Sequence, residues 1–146
     1  MSNVSITVKG HEELKKKFLA RSINVGRATD AQMNTIVLLV EGNAVKLIRK
    51  RSNGRTYTRG NKTHVASAPN KAPNTDTGNL IRGIIHDVKK VPNKYVLGTV
   101  RSTAKYSLDL EYGTRRMKKR PFMRPALAGS AKQIKALLKK GIRGAL

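Results

Sequence analysis

The chain has 146 residues, 38% hydrophobic but only 4% aromatic, with 31 lysines and arginines against 8 acids and a formal net charge of +23. That length fits one domain with a modest core of Val, Ile and Leu. The absence of cysteine excludes disulfides and thiolate metal sites, and no apolar run reaches the length of a membrane helix.

A charge of this size repels itself in a compact molecule, which points to a polyanion or an oppositely charged partner surface. The opening MSNVSITVKG lacks the pattern of a signal peptide, so the expectation is a soluble chain made in a cytoplasm.

Val4, Ile6 and Val8 alternate with polar residues and predict a half-buried strand closed by Gly10. Glu12 and Glu13 then predict the start of a short basic helix carrying Leu14, Phe18 and Leu19, with the acids at the positive end of its dipole. Thr29 and Gln32 have capping-box spacing. They predict a second, longer core helix through Met33, Ile36, Val37, Val40, Ala44, Leu47 and Ile48. Gly42 inside it costs about 1 kcal/mol relative to Ala, implying a close neighbour or a bend. Lys46, Arg49, Lys50 and Arg51 give the last turn the positive charge a helix C-terminus favours.

Residues 52–77 are rich in Gly, Asn, Thr, Ser, Pro and bases without apolar periodicity, and read as one extended loop, a length usually functional or disordered when free. Thr77 and Gly78 lead into LIRGIIHDVKKV, a Pro92-Asn93 turn and KYVLGTV, which predict a β-hairpin. From Ala126 to Ile142 a final helix is expected to dock on the sheet through Leu127, Ala131, Ile134, Leu138 and Ile142, with lysines outward. The predicted fold class is α+β: a small antiparallel sheet packed by a long central helix and a C-terminal helix, with a long basic loop, residues 1–146 forming one domain.

Catalytic constellations are lacking. His11, His64 and His86 sit at unrelated positions, Asp109 and Glu111, two apart, are not expected to share a metal, and Gly78 and Gly83 do not form a phosphate-binding loop. The expectation is no enzyme, no metal and no cofactor. Bases dominate instead: between Glu41 and Asp76 no acid interrupts Arg49, Arg51, Arg55, Arg59 and Lys62, and none follows Glu111, where Arg115, Arg116, Lys118 and Lys119 cluster. Ordinary solvated surfaces interleave both signs. Segregated bases suit backbone phosphates, which carry no sequence information. Neither a recognition helix nor an aromatic stacking platform is legible.

The segment from Tyr106 to Leu127, YSLDLEYGTRRMKKRPFMRPAL, is the most distinctive. Tyr106, Leu110 and Tyr112 are able to share a buried surface. Gly113 suits a left-handed turn that presents the basic run, and Pro121 and Pro125 fix the backbone around Phe122 and Met123, Pro125 in the first turn of the next helix. Read plainly, this is an element end, a solvated basic loop and a helix start. The spacing of Tyr106, Leu110, Glu111, Gly113, Thr114, Arg120, Pro121, Phe122, Pro125, Ala126 and Leu127, however, resembles that of the HK97 gp10-like family of phage neck proteins, also called head–tail connector or tail-completion proteins. V-K-G-H-E-E-L-K-K-K-F near the start and T-H-V-A-S-A-P-N-K-A-P-N-T-D-T-G-N-L from Thr63 to Leu80 are similar to the same family, although Asn70 stands where many relatives have Gly.

The resemblance implies a structural virion protein at the head–tail junction, on the tail-terminator side, forming a homo-oligomeric, hexameric ring through which double-stranded DNA passes. Its neighbours would be a connector or head-completion ring and tail-tube or tail-terminator proteins. On that reading Tyr106, Glu111, Thr114, Arg120 and Phe122 lie near the subunit interface. The nine clustered bases from Arg49 to Lys119 face DNA or a partner ring, and the 52–77 loop orders on meeting a neighbouring ring or projects into the channel. The alternative is a stand-alone basic nucleic-acid-binding protein of ribosomal or nucleoid type; a nuclease would need a metal cluster that the residues do not offer.

Overall fold

The computed structural model describes residues 11–91 and 95–145, so the strand expected over residues 4–8 and the Pro92-Asn93 turn lie outside the described residues. The fold is α+β, with two long helices, two short ones and two separate antiparallel hairpins among the described residues.

A single helix, α1 (His11–Arg49), replaces the two helices expected from the sequence. Thr29 does not cap anything. Its hydroxyl donates to the carbonyl of Val25 at 2.7 Å, one turn back, so the side chain is absorbed into a continuous helix. At 1.5 Å per residue α1 is about 58 Å long. Only its second half is buried, through Ile36, Val37, Val40, Ala44 and Ile48. In the first half Leu14, Phe18, Leu19 and Ile23 are exposed, Phe18 at 63%. Gly42 does not have the close neighbour that was one of its two expected reasons: a Cβ there would meet nothing within 4 Å.

After α1 the chain forms β1 (Thr56–Arg59) and β2 (Lys62–Val65), paired with Tyr57 opposite His64. The 52–77 segment is therefore not one extended loop. Gly60, at φ 58°, is the first central residue of a two-residue turn, the position where glycine closes such hairpins. The Asn74 side chain holds the base of the excursion: its Oδ1 accepts from Ser52 N at 2.9 Å, and its Nδ2 donates to Ser52 O at 2.7 Å and Val65 O at 2.8 Å. Backbone groups bonded within the chain do not require a partner ring for order.

The first run expected to be strand, from Leu80, instead begins as a short helix, α2 (Asn79–Arg82); it leads into β3 (Ile84–Val91), which pairs antiparallel with β4 (Tyr95–Ser102) as the expected hairpin, Ile84 opposite Ser102. This sheet lies on α1. A Cβ at Gly98 would sit 2.7 Å from Val37 Cγ1 and from Met33 Sδ, so glycine lets the strand approach the helix. His86 with Glu41, and Lys90 with Asp30, tie β3 to the same helix.

The chain continues through α3 (Ser107–Tyr112) and ends in α4 (Met123–Ala145). Contrary to the sequence expectation, α4 packs on α1 and not on the sheet, so α1 is the middle layer. The buried stripe of α4 is also not the expected one. Leu127 and Ile142 are exposed, while Ala126, Ser130 and Gly141 are buried. Small residues let the two helix backbones come close; a Cβ on Gly141 would lie 2.6 Å from Gln32 Cγ. Ser130 is satisfied in this contact, accepting from Asn43 Nδ2 at 2.8 Å and donating to Ala126 O at 2.7 Å. The main core gathers Ala44, Ile48, Leu80, Ile84, Phe122 and Ala126 where α1, α2, β3 and α4 meet.

Candidate functional site

The Tyr106–Leu127 segment folds as a closed clasp between α3 and α4. The first turn of any helix leaves N–H groups without intrahelical acceptors. Here the Glu111 carboxylate takes them: Oε2 accepts from Phe122 N at 2.9 Å and Met123 N at 3.0 Å, and Oε1 from Arg124 N at 2.9 Å. Pro125 has no N–H to satisfy, and Ala126 N then begins the ladder on Phe122 O at 3.2 Å. A carboxylate is also favoured by the positive end of the α4 dipole. Glu111, 8% exposed, thus faces inward onto the first turn of α4.

The loop between the helices is drawn tight by its backbone. Arg120 N donates to Leu110 O at 2.6 Å, Thr114 N to Met117 O at 2.8 Å, and the Thr114 hydroxyl accepts from Met117 N at 3.1 Å. Gly113, at φ 83°, is required here, because a Cβ would lie 2.8 Å from both Lys119 N and Met117 O. This closure leaves Arg115, Arg116, Lys118 and Lys119 exposed on a compact tip. Asn70 N donates to Lys119 O at 2.9 Å and fastens the tip to the 52–77 excursion.

Beside the clasp lies a cleft of about 590 Å³. Ile48, Leu80 and Leu110 give it apolar surface; Arg59, His64 and Arg120 give it positive or ionisable groups; Tyr57 and Tyr106, 47% and 46% exposed, contribute two rings. Asp76 also lines it, 3.6 Å from His64 Nδ1. A second concavity of about 450 Å³, lined by Arg49, Arg51 and Arg82, adjoins the first and shares Thr75, Gly78 and Ile81 with it. Bases from the end of α1, from α2, from the first hairpin and from the clasp are thereby collected at one end of the molecule.

Of the residues expected at a subunit interface, Phe122 is 1% exposed within the subunit's own core and Glu111 caps α4. Both therefore serve the fold, because neither offers surface to another chain. Thr114 is exposed, Arg120 is half-buried and Tyr106 lines the cleft. Tyr106 and Tyr112 do not share a buried surface with Leu110; both are exposed, and the Arg124 guanidinium lies 4.9 Å from the Tyr112 ring centre. The nine expected DNA- or partner-facing bases, Arg49, Arg51, Arg55, Arg59, Lys62, Arg115, Arg116, Lys118 and Lys119, are all exposed. Arg55 stacks over Tyr57 at 5.5 Å.

The sequence reading found no aromatic platform because Tyr57 and Tyr106 lie on separate elements; only folding brings them to one cleft. For the same reason His64 was set aside as an isolated histidine and Ser67 was missed. Among the described residues no group of His, Asp and Glu has the arrangement to hold a metal ion, and no helix is long and apolar enough to cross a membrane.

No protein-family model matches the chain, and no curated protein or solved structure matches it. The family resemblance rests on the residues quoted above.

Proposed function

We propose that this chain is a structural virion subunit of a tailed phage, assembling into a ring at the head–tail junction through which double-stranded DNA passes. The observation that carries this reading is the clasp. Glu111, Gly113, Thr114, Phe122, Pro125 and Ala126, which carry the family resemblance, each have a structural task in one unit. That unit presents four bases to the outside from a loop closed by its own hydrogen bonds.

Two further features support assembly around DNA. Exposed large hydrophobics outnumber buried ones among the described residues, and four of them, Leu14, Phe18, Leu19 and Ile23, lie on the uncovered half of α1, a surface suited to a neighbouring subunit. The basic end of each subunit, repeated around a ring, offsets the repulsion of confined DNA. Many exposed, weak phosphate contacts also let the genome slide. The collected bases favour equally a stand-alone nucleic-acid-binding protein, which would act as a monomer or dimer.

Salt dependence tests the DNA-facing surface. If about five bases meet phosphates, log affinity for duplex DNA falls against log salt with a slope of roughly −4 to −5, whatever the sequence. Replacing Arg115, Arg116, Lys118 and Lys119 together by alanine is expected to weaken binding to all duplexes alike and to bring the slope towards zero by roughly 3 to 4. An unchanged slope in that variant would remove the clasp tip from the DNA surface.

A further inference from the structure

We propose that the cleft lined by Tyr57, Arg59, Tyr106 and Arg120 binds an unpaired nucleotide of a single DNA or RNA strand, its phosphate on the two arginines and its base against the tyrosine rings.

The first argument is an unmet hydrogen-bond donor. Arg120 Nε is buried and has no partner among the described residues, and the Nη1 of the same guanidinium reaches only Met117 Sδ, at 3.5 Å. Sulfur is a weak acceptor. Nε itself is enclosed, so it is the charge of the guanidinium at the cleft wall, with no carboxylate paired to it among the described residues, that fits an anionic oxygen, the partner with which its bonds are shortest and strongest. Ser67, 3% exposed, adds a second buried polar atom without a partner among the described residues, again on the cleft lining.

The second argument is size and surface. About 590 Å³ lies within the range of small-ligand pockets, and apolar floor, aromatic rings and a few polar groups are their usual composition. Half-exposed tyrosines beside arginines are the means by which single-strand binders hold bases of any identity, since every base has a π face. A duplex keeps its bases stacked and cannot offer one to Tyr57 or Tyr106.

The third argument distinguishes nucleic acid from an acidic peptide. Cations continue past the cleft: Arg49, Arg51 and Arg82 line the adjoining concavity, which shares Thr75, Gly78 and Ile81 with it. A strand repeats its phosphates along such a track. An acidic peptide could follow the same charges but would leave the Tyr57 and Tyr106 rings without a planar partner. The inference draws on the basic end invoked in the proposed function but not on the ring, so it holds or fails for the single subunit.

The chain has no tryptophan, and two of its four tyrosines, Tyr57 and Tyr106, line the cleft, so the part of the tyrosine emission of the full-length protein that Tyr57→Ala or Tyr106→Ala removes reports on the cleft. A short oligothymidylate is expected to quench that emission and to bind about tenfold tighter than a duplex of equal phosphate count. Tyr57→Ala and Tyr106→Ala are each expected to lose about tenfold for the single strand and nothing for the duplex, at unchanged melting temperature. Arg59→Ala is expected to weaken both. Equal affinity for single strand and duplex, or binding without quenching, would overturn the site while leaving a basic DNA-facing surface in place. Displacement of oligothymidylate by polyglutamate at lower concentration would overturn it in favour of an acidic peptide. Loss of all DNA binding in the wild-type chain would remove both readings.

Discussion

Glu111→Ala is expected to destabilise the folded chain by about 3 to 5 kcal/mol, the largest effect of any single surface-loop or helix-cap change in the molecule. Three backbone N–H groups, of Phe122, Met123 and Arg124, lose their acceptor at once. Phe122 N lies in the core, where water cannot replace the carboxylate. An ordinary N-cap loss costs about 1 kcal/mol; bonds to a charged group are worth roughly 1.5–3 kcal/mol each, and their loss here is coupled. Glu111→Gln keeps one acceptor oxygen and turns an NH₂ towards donors, so it should fall between wild type and alanine. Glu111→Asp keeps the charge but is one methylene too short to bridge all three groups. Urea unfolding at unchanged m-value measures the series, and a melting temperature lower by roughly 10 °C accompanies the alanine variant. A loss below about 1 kcal/mol would mean that the cap is replaceable by solvent.

Phe122→Ala is the second large effect, expected at about 3 to 5 kcal/mol. The side chain is 1% exposed and belongs to the cluster with Ile48, Leu80 and Ile84. Its removal takes away the buried ring and leaves a cavity that α1 and α2, fixed by other contacts, cannot fully close. The sequence expectation was a subunit contact, for which alanine would abolish assembly and leave the fold intact. The structure reverses that order: stability is lost first, and any loss of assembly follows from unfolding. Because Phe122 N is also a Glu111 partner, the double variant should cost less than the sum of the two singles.

Much of the architecture was legible because its signals are local. The β-rich runs LIRGIIHDVKKV and KYVLGTV identified the β3–β4 hairpin, although the first three residues of the former are helical, and the acids at Glu12 and Glu13 marked the start of α1. Where the reading failed, a local signal was outweighed. Thr29 looks like a cap in one dimension, yet a helix already running past it uses the hydroxyl on Val25 O. The first hairpin did carry a signal, Gly60-Asn61 between TYTR and KTHV, obscured by the Gly- and Asn-rich composition around it. The stripe on α4 was misjudged because hydrophobicity was counted, whereas helix–helix contact here selects small residues, Ala126, Ser130 and Gly141.

The candidate site was legible only in part. The bases were visible as charge, and the family-like spacing singled out the clasp. Its physical basis was not visible, since Glu111 caps a helix eleven residues later through a loop that no capping pattern spans. The cleft was invisible, being assembled from α1, the first hairpin, α2, α3 and the clasp.

The mass of the purified full-length chain in near-physiological salt, taken by native mass spectrometry with imaging of the particles, tests the central claim most directly. The account predicts one closed ring, hexameric and with an open basic channel. A monomer or dimer at every concentration that nonetheless binds DNA would contradict it and establish the stand-alone nucleic-acid-binding protein instead.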